Sequence, residues 1–223
     1  MRSKWIVIGA IGVVGATSAE AQTCIGHPSF AAGSIQLGGG VEFADDLTTL
    51  GVGVNFGRQQ GLFGGASIGR ASLDDDALDI DESATIVGLN LGYQTTIMRT
   101  GRTQFCPYGD VVLQFGPSAP GIDVSGQLIT FGGRLGGTFT GGPNLEVVPT
   151  AGLALAIARV EFDFEDNQGF DDIDESETGG MLDAGVGFVF NRRIGILPYL
   201  RIPLGFDNSD TAFGLRVIFT LPN

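Results

Sequence analysis

The chain is short of the residues that most catalysis needs. Its 223 residues include one histidine, His27, and two cysteines, Cys24 and Cys106. A base poised near neutral pH is usually histidine. His27 lies ahead of every strand-like segment, which disfavours a histidine-dependent protease or lipid deacylase. No Gly-x-Ser-x-Gly elbow occurs, and no Cys or His cluster could hold zinc. The reading is therefore no catalytic residue, no resident cofactor and no enzyme. Basic residues are scarce as well: 12 Lys and Arg stand against 25 Asp and Glu, a net charge of -13. That balance argues against nucleic acid as a partner. After the N-terminus no run of about 18 apolar residues appears, so no spanning helix is expected.

What is present begins with an export signal. Arg2 and Lys4 form a positive n-region, Trp5 to Val14 an apolar h-region, and Ala19-Glu20-Ala21 a small-residue cleavage site. This predicts a signal peptide over 1–21 and a mature start at Gln22. The h-region is well short of the ~20 residues a spanning helix needs. Processing would remove Lys4 and Trp5, the chain's only lysine and only tryptophan. Residues 22–33 then form a periplasmic tail. Two cysteines in an exported chain suggest one disulfide, Cys24 to Cys106, tying that tail to the rim of the domain behind it; two unpaired thiols are the alternative.

The last segment alternates almost perfectly. Thr211, Phe213, Leu215, Val217, Phe219 and Leu221 share one face, and Ala212, Gly214, Arg216, Ile218 and Thr220 the other. Strand side chains alternate with period two, so one face is greasy and the other small or polar. About ten such segments recur: roughly 34–43, 49–58, 61–72, 83–96, 105–116, 125–140, 144–163, 179–191, 194–206 and 210–221. The third is Gly-rich with a poor stripe. In the seventh, the stripe Leu153, Leu155, Ile157 changes parity to Val160, Phe162, Phe164. Either a β-bulge near Ala158-Arg159 or a strand continuing beyond a membrane would do that.

Connections sort into two alternating kinds. One is short and built from Gly, Arg and Asn, such as Asn191-Arg192-Arg193; the other is longer or acidic, such as Leu73 to Glu82 and Glu165 to Gly180. Membrane barrels show this asymmetry, with short periplasmic turns and longer outer loops. The expected fold is all-β: an antiparallel up-and-down transmembrane β-barrel over 34–223 with about ten strands, eight or twelve being the alternatives. A soluble exported β-sandwich that binds a partner is the other architecture.

Opposite the grease fall Glu42, Asp110, Arg134, Glu146, Asp183, Arg201 and Arg216. Isolated buried ions are very costly, so these seven predict a salt-bridge network in the lumen. It would act either as a plug filling a narrow barrel or as a charged constriction in a porin-like solute channel. Outside, Asp74-Asp75-Asp76, Asp79, Asp81 and Glu82 crowd one loop. Asp166, Asp171, Asp172, Asp174, Glu175 and Glu177 crowd another. Clustered carboxylates suit Ca²⁺ or Mg²⁺, although neither loop has EF-hand spacing, and a solvated acidic surface is the plainer reading.

Taken together, the chain resembles the small outer-membrane β-barrel family, which holds the OmpA-like transmembrane domains and single-barrel outer-membrane proteins. The sharpest motif is Gly214-Leu215-Arg216-Val217-Ile218-Phe219, which resembles the β-signal read by the barrel-insertion machinery. It departs from that signal in having Ala212 before the Gly and Leu221-Pro222-Asn223 after Phe219. The resemblance implies a monomer in a Gram-negative-type outer membrane, in contact with outer-membrane lipid and, during biogenesis, with that machinery. Such proteins serve as envelope anchors, adhesins, small channels and occasionally enzymes, so fold alone does not settle function. The expected role is a non-enzymatic cell-envelope protein with acidic outer loops for surface interaction or envelope integrity.

Overall fold

β-Branched and aromatic residues with period-two alternation build strands throughout. In the computed structural model the described residues are 35–45, 47–57, 61–75, 80–97, 103–116, 122–164, 173–206 and 210–221. The expected signal peptide, the tail, Cys24 and His27 lie outside them. The strands are β1 (Ile35–Ala44), β2 (Leu47–Gly57), β3 (Gly61–Asp75), β4 (Ile80–Thr96), β5 (Thr103–Phe115), β6 (Ile122–Gly137), β7 (Phe139–Gly142), β8 (Leu145–Phe164), β9 (Ile173–Phe190), β10 (Ile194–Leu204) and β11 (Ala212–Thr220).

Each strand pairs antiparallel with its neighbour, β11 pairs with β1, and β6 pairs with β8, so the sheet closes on itself. β6 and β7 both lie along β8 and are one stave interrupted at Thr138. The barrel therefore has ten staves. Closure satisfies the backbone without an open edge, the condition for strands to cross lipid. All ten segments anticipated from alternation are staves. The weak third one forms β3, paired along its whole length with β4 and from Phe63 to Leu73 with β2.

The seventh segment resolves plainly. Ala158, Arg159 and Val160 pair with Glu177, Ser176 and Glu175 in unbroken register, so no bulge is present. Val160 is buried and Phe162 packs against the interior cluster. The parity change marks the level at which the outer face of the strand stops being apolar.

The two acidic connections are shorter than the sequence suggested. β3 and β4 pair out to Asp75 and Ile80, and β9 starts at Ile173, placing Asp174, Glu175 and Glu177 on a strand. At the other end, Asn191 and Arg192 both adopt positive φ (51° and 56°), and Arg193 N–H donates to Phe190 C=O at 3.0 Å. Two left-handed central residues are the signature of the tight hairpin turn whose twist matches its strands.

The apolar stripes point outward. Leu50, Leu62, Leu91, Phe131, Leu153 and Phe213 are each about half or more exposed, in a belt encircling the barrel. Phe56, Tyr93, Phe139, Phe190 and Phe219 ring its turn-side margin, as interfacial aromatic girdles do.

Candidate functional site

Inward-facing side chains fill the barrel in two layers. Towards the loop end, Ile86, Val112, Leu128 and Val160 are almost wholly buried, joined by Met181, Ala156, Ala158 and Phe206. This apolar layer caps the lumen. Below it lie six buried charges, Glu42, Asp110, Arg134, Asp183, Arg201 and Arg216. Three are basic and three acidic, so the interior is electrically balanced.

Arg134 on β6 donates through Nε to Asp183 Oδ1 on β9 at 2.5 Å, and its guanidinium lies 4.9 Å from the Tyr108 ring centre. The register explains the meeting: Arg134 and Asp183 both stand opposite Gly152 on β8. A Cβ at Gly152 would press into Arg134 Cγ and Asp183 Oδ2, so the glycine is what lets the pair bridge a strand. Glu42 on β1 receives the Tyr199 hydroxyl at 2.6 Å and Arg201 Nη1 at 3.2 and 3.3 Å. Tyr199 also sits beneath two cations, with Arg216 4.5 Å and Arg201 5.8 Å from its ring centre. Its ring occupies the slot left by Gly214 on β11, where any Cβ would collide with it. A glycine of the segment that resembles a β-signal thus also seats an interior tyrosine.

Asp110 pairs in register with Asn90 on one side and Thr130 on the other. Glu146 stands apart. It accepts from Arg192 Nε at 3.1 Å beside the β9–β10 turn, where Arg192 is largely exposed. Its cross-strand neighbour is Val189, itself buried. The seven expected network residues therefore split into six in the lumen and one at the turn-side mouth. Tyr108 joins the cluster from the same inward face of β5 as Asp110, a parity that the sequence already carries. Cys106 is fully buried and shares that parity too.

The cavity bounded by Arg134, Thr150, Asp183, Leu197, Tyr199 and Arg216 measures about 10 Å³, about the space of one water molecule. Among the described residues no group of three His, Cys, Asp or Glu could hold a metal ion.

Beyond the apolar belt the β8–β9 hairpin carries its own ion pair. Arg159 donates to Asp174 through Nε at 2.9 Å and Nη2 at 2.6 Å, and reaches Glu161 at 3.5 Å. The hydrogen bonds from Arg159 hold the Asp174 carboxyl below its usual range.

No family model matches the sequence, and no curated protein matches it. Solved structures do. The β domain of the Bordetella autotransporter BrkA is 11% identical, covering 86% of this chain and 100% of that one with a TM-score of 0.50. The N-terminal β-barrel domain of Pseudomonas aeruginosa OprF is 12% identical (85% and 99% covered, TM-score 0.39). Ail, the attachment invasion locus protein of Yersinia pestis, is 10% identical (85% and 97%, TM-score 0.39). At such identities the likeness concerns the fold, and on fold this chain is an outer-membrane-type β-barrel.

Proposed function

We propose that the chain is a non-enzymatic protein of a Gram-negative-type outer membrane, exported with cleavage after Ala21. Its barrel serves as an anchor, and its acidic loop-end hairpins meet the surroundings. The observation that carries this reading is the filled interior. Among the described residues an apolar layer lies over a balanced ion cluster, and the cavity between Arg134, Asp183, Tyr199 and Arg216 has space for about one water molecule. Ions in transit need a hydrated or charged path, and a path blocked by Ile86, Leu128 and Val160 offers neither. Among the described residues, accessible carboxylates include those of the β8–β9 hairpin, where Asp174 is exposed and Glu175 and Glu177 are partly so. Carboxylates there could share Ca²⁺ or Mg²⁺ with phosphates of the outer leaflet. The single histidine, His27, ahead of β1 supports a role without general-base chemistry.

Planar-bilayer recording tests this reading. Purified protein should be silent across salts and voltages; discrete conductance that changes on Arg134→Ala or Arg216→Ala would establish the channel instead. A heat-dependent mobility shift on SDS gels should accompany folding. Partition into plain buffer without detergent would instead mark a soluble domain.

A further inference from the structure

Of the luminal carboxylates, Asp110 has no ion pair among the described residues. Arg201 holds Glu42 and Arg134 holds Asp183. Asp110 is 5% exposed, and its Oδ2 meets no protein donor. Its cross-strand neighbours are Asn90 and Thr130, and beside it on the inward face of β5 stand Tyr108 and Val112. None of these is basic. Arg201 and Arg216 rise from β10 and β11, four and five staves away around the ring, against Glu42 and the Tyr199 ring.

Two more oxygens near Asp110 share its condition. Asn90 donates Nδ2 to Asn55 Oδ1 at 3.4 Å, which leaves its own Oδ1 over, and that atom has no protein partner. Ser67 Oγ lies over Gly88, two residues from Asn90 on the same face of β4, in a slot that any Cβ would close. It too lacks a protein partner. All three residues are more than nine-tenths buried. Cross-strand partners have Cβ atoms about 4.5–5.5 Å apart, so Asn90 and Asp110 are within reach of one common ligand.

We propose that Asp110 Oδ2, Asn90 Oδ1 and Ser67 Oγ bind one monovalent alkali cation, sodium, inside the barrel. Hard oxygen donors suit a hard cation. One carboxylate matches one positive charge, whereas a calcium ion takes about six to eight oxygens and usually more than one carboxylate. A water molecule would satisfy the lone pairs and leave the buried charge uncompensated. A proton on Asp110 would cancel that charge and reach only one of the other two oxygens. The apolar layer of Ile86, Val112, Leu128 and Val160 lies between the site and the loop end, so the ion is taken up as the barrel folds. The site needs the closed barrel and not the envelope role proposed above.

Refolding tests it. Protein folded in detergent with sodium chloride, or with choline chloride at equal ionic strength, is titrated with urea. The expected result is a higher midpoint in sodium. Near saturation the unfolding constant should fall about tenfold for each tenfold rise in sodium, the dependence for one bound ion. Asp110→Asn keeps the shape and removes the charge, and its midpoint should be indifferent to sodium. Equal midpoints of the parent protein in sodium and choline would overturn the proposal, and so would an undiminished sodium response in Asp110→Asn. Carboxyl NMR of the parent protein needs no variant: in sodium at neutral pH, Asp110 should show the ionised shift. A protonated Asp110 there would assign the site to a proton and overturn the cation.

Discussion

Two sectors of the same lumen handle polarity in opposite ways. On one side, Glu42 on β1 holds Tyr199 and Arg201 of β10, Arg216 of β11 lies against the Tyr199 ring, and Asp183 of β9 reaches Arg134 across β8. On the other, β2 to β4 carry Asn55, Ser67 and Asn90, whose one mutual hydrogen bond is long, at 3.4 Å from Asn90 to Asn55. There Asn55 Nδ2, Ser67 Oγ and Asn90 Oδ1 have no protein partner among the described residues. The difference teaches what each group demands. A buried charge without a partner costs several kcal/mol, so it dictates geometry, down to the glycine beside it. A neutral amide or hydroxyl left half-satisfied costs about 1–3 kcal/mol, which a barrel can tolerate.

Breaking the ionic sector should therefore have the largest effect. Asp183→Ala strands Arg134, and a loss of about 3–5 kcal/mol is expected, measured as a lower midpoint in denaturant titration of detergent-folded barrel. Replacing both residues, Asp183→Leu with Arg134→Met, should recover much of it, since no charge is then left over. If the double variant is as unstable as the single one, charge is not what the sector depends on.

Next in size is the seat of Tyr199. Gly214→Ala brings a Cβ into its ring, and overpacking of this kind costs about 1–3 kcal/mol. The tyrosine must shift and release Glu42, so Glu42→Gln added to Gly214→Ala should cost less than the two changes separately. The amide sector predicts a smaller response. Asn90→Leu removes one long hydrogen bond and the partnerless Oδ1, and a change within about 1 kcal/mol is expected. A cost as large as that of Asp183→Ala would erase the distinction between sectors.

The smallest effect lies outside the lumen. Hydrogen bonds from Arg159 depress the Asp174 carboxyl, so their stabilisation is present above the unfolded carboxylate value, about 3.9. It is lost as pH falls through the lower folded value. Carboxyl NMR titration should show the Asp174 midpoint rising in Arg159→Ala. Both side chains are about half exposed, and salt should shrink the difference.

Much of this architecture was legible in advance, for a physical reason. Lipid outside and filler inside impose period two on every stave, so the stripes at Leu50 to Phe56 and Phe213 to Phe219 show directly in the residues. β3 read as weak because its inward positions include Gly65, over which Asn55 from β2 folds. Its pattern belongs to its neighbours as much as to itself. The extent of the outer hairpins was hidden because pairing decides it: Asp174 and Glu177 look like loop residues until β8 lies beside them. Nor could alternation assign partners. Glu146 has the inward parity of the lumen acids, yet it sits at the level of the β9–β10 turn and meets Arg192 there.

The seam between β1 and β11 carries a consequence for assembly. Gln36 pairs with Thr220 and Phe43 with Phe213, so the first strand made waits for the last. Until β11 arrives, β1 and β10 would be two bare edges, each a template for a foreign strand. Closure so remote in sequence is slow, and a chain interrupted before Ala212 is a sheet that can grow by adding copies of itself.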